Sequence, residues 1–152
     1  TATRCARYSA STWGGERPTV RHMTIATFSL VALDCADPDE LARFYSAITG
    51  WEVVLPPWLD VETDGRRWVE LRSGEGPTLA FQRISDHVPP TGPSGEHPAQ
   101  LHLDFDVPDL DAAEPRVIEL GARKAEVQPD PDEFRVYLDP AGHPFCLVRA
   151  LD

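Results

Sequence analysis

Within Leu101-His102-Leu103-Asp104-Phe105-Asp106-Val107, polar and apolar residues alternate. Successive side chains of a strand point to opposite faces, so His102, Asp104 and Asp106 share one face and Leu101, Leu103, Phe105 and Val107 the other. An imidazole beside a carboxylate can move protons near neutral pH or hold a ligand by hydrogen bonds. The same residues also suit a hydrogen-bonded or solvated pair on an open sheet face, and the pattern leaves both readings standing.

Other candidates divide by context. Trp51, Trp58 and Trp68 could supply flat walls for an aromatic or amphipathic ligand. Trp51 directly follows Gly50 and is expected in the core, whereas Trp58, beside Pro56 and Pro57, is the loop candidate for ligand contact. His143 follows Asp139-Pro140-Ala141-Gly142, which favours a turn role over catalysis. Cys146 has no basic neighbour in sequence to lower its pKa and reads as a small buried residue, not a nucleophile. The chain holds no G-x-G-x-x-G, P-loop, G-x-S-x-G or H-E-x-x-H pattern, which leaves nucleotide binding, serine hydrolysis and zinc proteolysis without a motif.

The elements that must position these residues follow a repeated order. The β-branched and apolar segment 27–35 reads as a strand. Asp37-Pro38-Asp39-Glu40 then starts a helix carrying Leu41, Phe44, Tyr45 and Ile48, and Gly50 stops it. Strands are expected at 51–55, 67–72 and 78–84, and the proline-rich stretch 85–99 is an extended linker. The order then recurs: a strand at 100–107, a helix capped by Asp109 and carrying Leu110, Ala113, Val117 and Leu120, and strands at 124–128, 133–138 and 144–149. Asp34 and Asp37 match Asp106 and Asp109 at a fixed offset, the mark of an internal repeat. Phe44, Ile48, Leu103, Phe105, Val117 and Leu120 are the expected core between helices and sheet.

At 152 residues, with 41% hydrophobic and 26% charged side chains, the chain has the composition of one globular domain. A formal net charge of -11 argues against nucleic acid and anionic membrane surfaces as partners, and no apolar run is long enough to span a bilayer. Cys5, Cys35 and Cys146, an odd number without C-x-x-C spacing, argue against a disulfide framework and point to a reducing cytoplasm. Residues 1–22 lack a secretory h-region and are expected to be a poorly ordered N-terminal extension, although their Arg-rich, acid-poor character leaves a transit peptide open. Residues 23–152 are then the single domain.

Taken together, Leu33-Asp34-Cys35-Ala36-Asp37-Pro38, Phe44-Tyr45, Gly50-Trp51, Leu79-Ala80-Phe81-Gln82, the 101–107 strand and Leu138-Asp139-Pro140-Ala141-Gly142-His143-Pro144-Phe145-Cys146 resemble the vicinal oxygen chelate superfamily. The resemblance is to its glyoxalase/bleomycin resistance/dioxygenase group and within that to an actinobacterial glyoxalase-like branch. It implies an α+β fold of two βαβββ repeats, 27–84 and 100–149, forming an open barrel-like mixed sheet around a central cavity. It also implies ligand positions at Leu30 and His102 on the first strands, and at Ala80 (or Gln82 in the alternative register) and Cys146 on the last. Only His102 is a typical metal ligand among these, so no cofactor is expected, with a divalent metal as the lesser alternative.

The resemblance points to a cavity that binds a small molecule without a catalytic metal, as in bleomycin-resistance members, with His102, Asp104, Gln82, Trp58 and Cys146 as ligand-binding residues. An acidic, aromatic-containing cavity favours cationic or planar ligands. The alternative is a metal-dependent or His-based lyase, isomerase or dioxygenase-like enzyme, and whether the protein is an enzyme stays open. Dimers are common in the family, which makes a homodimer a further expectation.

Overall fold

The computed structural model describes residues 25–91 and 95–150. The expected extension at 1–22 lies outside them. The first repeat comprises β1 (Val31–Cys35), α1 (Pro38–Thr49), β2 (Glu52–Val54), a short helix α2 (Val61–Asp64), β3 (Trp68–Arg72) and β4 (Thr78–Arg83). The second comprises β5 (Leu103–Val107), α3 (Leu110–Glu119), β6 (Arg123–Lys124), β7 (Phe134–Leu138) and β8 (Pro144–Arg149). Each repeat forms its own four-stranded mixed sheet, in the orders β1-β4-β3-β2 and β5-β8-β7-β6, and no closed barrel results. The first strand of each repeat runs parallel to the last, with Val31 opposite Leu79 and Leu103 opposite Phe145. The linker carries no helix or strand among its described residues.

Local chemistry sets the helix ends. The Asp37 carboxylate accepts from the Asp39 and Glu40 amides at 3.0 and 3.2 Å, which satisfies donors that the first helical turn leaves unpaired. Gly50, at φ +73°, ends α1 in a left-handed conformation that costs glycine little. Asp109 repeats the N-cap for α3, accepting from Asp111 and Ala112 at 2.8 and 3.1 Å.

One apolar core serves both repeats. Leu33, Cys35, Val69, Leu71 and Phe81 of the first sheet are buried, as are Tyr137, Phe145 and Leu147 of the second. Helix α1 joins the two sets. Tyr45 stacks on Phe81 with ring centroids 5.8 Å apart and meets Phe145 edge-on at 6.3 Å, while Phe44 meets Phe145 at 5.7 Å.

Several expectations need correction. Leu120 is 41% exposed, because α3 buries Leu110 and Val117 and ends at Glu119, which leaves the next side chain at the C-cap. Leu101, on the apolar face of the expected 100–107 strand, is 53% exposed, since β5 begins only at Leu103, where pairing with Phe145 starts. Ile48, Leu103 and Phe105 are partly buried against the core, and Phe44 and Val117 are buried in it. The strand expected at 124–128 reduces to Arg123–Lys124. There Gln128 folds back, its side-chain amide donating to the Ala125 and Val136 carbonyls and accepting from the Val136 amide, and so replaces ladder bonds with side-chain ones.

Candidate functional site

The residues singled out for chemistry fall into two groups on sheet faces turned away from the core. On the second sheet Asp104 pairs with Cys146 across β5 and β8, and Cys146 pairs with Val136 across β7. His102 precedes β5 by one residue but still reaches the same face. Its Nε2 lies 3.4 Å from Asp104 Oδ1, with side chains 49% and 44% exposed. Cys146 beneath them is 7% exposed. One donor atom each from His102, Asp104 and Cys146 lie within 4.8 Å of one another. Half-buried Phe134, Val136 and Val148 continue the floor by the same parity. The face therefore combines an apolar floor with a polar, titratable edge, as organic-ligand sites do.

Gln82 and Trp58 gather instead at the first sheet. Gln82 is exposed and pairs with Trp68 across β3 and β4, and the Trp68 ring lies 5.9 Å from that of Trp58, itself 58% exposed. Asp34 lies opposite Gln82 on β1.

Glu70 is a residue the sequence reading missed. It is 6% exposed on the same face as Trp68, accepting from Trp68 Nε1 at 3.3 Å and from Arg72 Nη2 at 2.7 Å. The signal was available: Trp68, Glu70 and Arg72 alternate on β3 as His102, Asp104 and Asp106 do near β5. Glu70 also stands across from Ala80, the position at which the resemblance places a ligand but this chain has no donor.

A sizeable cavity lies elsewhere. It measures about 590 Å³ and is lined by Asp34, His87, His97, Leu101 and His143, together with linker residues. Neither His102 nor the other predicted ligand residues line it. Asp139, fully buried, accepts from the Ala141 and His143 amides, which accords with the turn role expected for this segment. Burial lowers the His143 pKa, a shift that nearby Asp139 partly opposes. The Cys35 thiol, pushed up to about 12 by burial and then by Asp139, is inert.

As a metal site, the His102, Asp104 and Cys146 set supplies three donors where the sequence reading counted one typical ligand. One imidazole, one carboxylate and one thiol suit a borderline-soft ion such as Zn²⁺ with an open fourth position; the thiol does not suit Mg²⁺ or Ca²⁺.

Comparisons with known proteins agree with this architecture. A family model described as "Glyoxalase-like domain" matches residues 30–148. A glyoxalase/bleomycin resistance protein/dioxygenase family enzyme from Burkholderia phytofirmans superposes with TM-score 0.55 at 19% identity, over 81% of this chain and 98% of that one. The fosfomycin resistance protein FosX of Mesorhizobium loti gives 0.57 at 16% identity, over 84% and 95% of the two chains. TioX from a Micromonospora species gives 0.51 at 24%, over 83% and 100%. At these identities the likeness is one of fold. No curated protein matches the chain.

Proposed function

Because the chain belongs to the glyoxalase-like domain family, we propose that residues 23–152 form one such domain that binds a small organic molecule on its open sheet faces. His102, Asp104 and Cys146 contact the ligand on one sheet, and Gln82 and Trp58 do so on the other. The observation that carries this reading is the half-exposed His102–Asp104 pair standing at the edge of an uncovered apolar floor. Exposed tryptophan and a net charge of -11 favour a planar cation, through ring stacking, cation–π attraction and the field of the whole molecule. The actinobacterial branch, a cytoplasmic setting and a homodimer belong to the same proposal and rest on the sequence resemblance and cysteine usage.

The three gathered donors favour a second reading, in which His102, Asp104 and Cys146 hold a zinc-like ion. Bound there, such an ion would supply Lewis acidity. The His102 imidazole would donate a ring-nitrogen lone pair to it, and Asp104 would orient the ring or share the ion.

One set of titrations separates the readings. Proflavine, a planar cation, should quench tryptophan fluorescence saturably, with affinity falling at least tenfold in both Trp58→Ala and Asp104→Asn. Equal binding of a planar anion such as anthraquinone sulfonate would overturn the cation-binding reading. Calorimetry with Zn²⁺ tests the other: micromolar binding in the wild type, abolished by His102→Ala, would establish the metal centre in place of the metal-free site.

A further inference from the structure

The linker between the repeats is held onto the second of them by an arrangement that neither reading of the sheet faces uses. Asp139 shapes the turn between β7 and β8. Its Oδ1 accepts from the Ala141 and His143 amides, both at 2.9 Å, and its Oδ2 accepts from the Tyr45 hydroxyl at 2.8 Å. The His143 side chain, 15% exposed, lies beside that carboxylate with Nδ1 3.5 Å from Oδ2. That nitrogen is buried and has no hydrogen-bond partner.

The linker covers this ring. The His87 ring centroid lies 5.4 Å from that of His143, and His87 Nε2 lies 2.9 Å from the Ala141 carbonyl, to which it can only donate. Pro89 lies close over the next residue, so that a Cβ on Gly142 would stand 2.6 Å from Pro89 Cβ. His87 also lines two cavities. One, of about 220 Å³, includes Asp37 and Glu40, and the other, of about 590 Å³, includes Asp34 and Asp86.

We propose that His87, Pro89 and the 139–143 turn form a pH-sensitive clasp, in which protonation of His143 favours a state with the linker lifted and the two cavities joined. In the clasped state the ring is desolvated, with another imidazole over it and a neighbouring carboxylate already occupied by three donors. Burial lowers its pKa first; Asp139 and Asp34 raise it, and His87 lowers it further, with a net lowering. A proton bound less tightly in the covered state shifts the population toward the state in which the ring meets water.

Proton NMR of the full chain tests this without any ligand, and so independently of the proposed binding function. At pH 7.5, cross-relaxation peaks should join Pro89 to Gly142 and the His87 ring to that of His143. On acidification both should disappear with the midpoint of the His143 ring titration, while Tyr45 to Phe145 peaks persist. In His143→Gln the Pro89 to Gly142 peak should survive throughout the same titration. In His87→Ala the His143 pKa should rise toward the ordinary histidine value, because its cover is gone. Peaks that survive beside a protonated His143, an unchanged midpoint in His143→Gln, or an unchanged His143 pKa in His87→Ala would each overturn the clasp.

Discussion

Asp139 is fully buried, and a carboxyl group is tolerated there only where hydrogen bonds replace its lost hydration. Two of its donors are local amides, and the third is the hydroxyl of Tyr45, which burial and Asp139 keep protonated by raising its pKa well above the usual value. Tyr45→Phe keeps the ring packing and removes that donor. Urea denaturation should show a loss of about 1.5–3 kcal/mol, the range for hydrogen bonds to charged groups; a loss under about 0.5 kcal/mol would mean that the bond contributes nothing. This residue-scale contact was illegible in the sequence because it joins residues 94 positions apart. The approach of His102 to Asp104 was legible, since two-residue periodicity alone predicts a shared face. Adding Cys146 to them required the β5–β8 register, and beforehand only the resemblance placed Cys146 at a ligand position.

The helix starts were the most legible elements because each is written locally. Asp37 and Asp109 cap α1 and α3, and Asp60 caps α2 by accepting from Glu62 at 3.0 Å and Thr63 at 3.4 Å. Helix α2 went unread although Asp60 before it and Gly65 after it carried the same signals. Strand starts were read too early because apolar composition continues where pairing does not. Val31 and Leu103 are the first residues with partners, and Phe28 and Leu101 before them are exposed. Helix α3 shows how a three-and-four pattern can overreach. Val117 is 5% exposed and Leu120, on the same expected stripe, is 41% exposed. Thermal or urea unfolding should therefore show Val117→Ala costing about 2 kcal/mol and Leu120→Ala about 0.5 kcal/mol or less. Equal costs would place both residues in the core, as the periodicity suggested.

At the scale of the whole molecule, two opposing electrostatic effects act on stability as pH falls. The net charge of -11 is an average repulsion, and protonating carboxylates relieves it, which stabilises the fold. Specific groups act the other way. His143 has a lowered pKa in the folded chain, so its contribution is fully present above the unfolded histidine value of about 6.5 and is lost as pH falls toward the folded one. Glu114 accepts from Lys124, Arg135 and Tyr137, and hydrogen bonding, from Lys124 first, holds its carboxyl below the usual range. Its contribution is present above about 4.3 and is lost below that. Salt separates the two effects, since the Debye length falls to about 3 Å at 1 M and long-range repulsion is largely screened while partly buried groups are screened much less. In 1 M NaCl the Tm should fall between pH 7.5 and 5.5 in the wild type and fall less in His143→Gln. A second fall, common to both proteins, should begin below about pH 4.5 and be diminished in Glu114→Gln. At low salt the first fall should shrink or reverse, because relief of the overall charge offsets it. A Tm that rises from pH 7.5 to 5.5 even in 1 M NaCl, or an equal fall in His143→Gln, would show that the covered imidazole does not govern the response near neutrality.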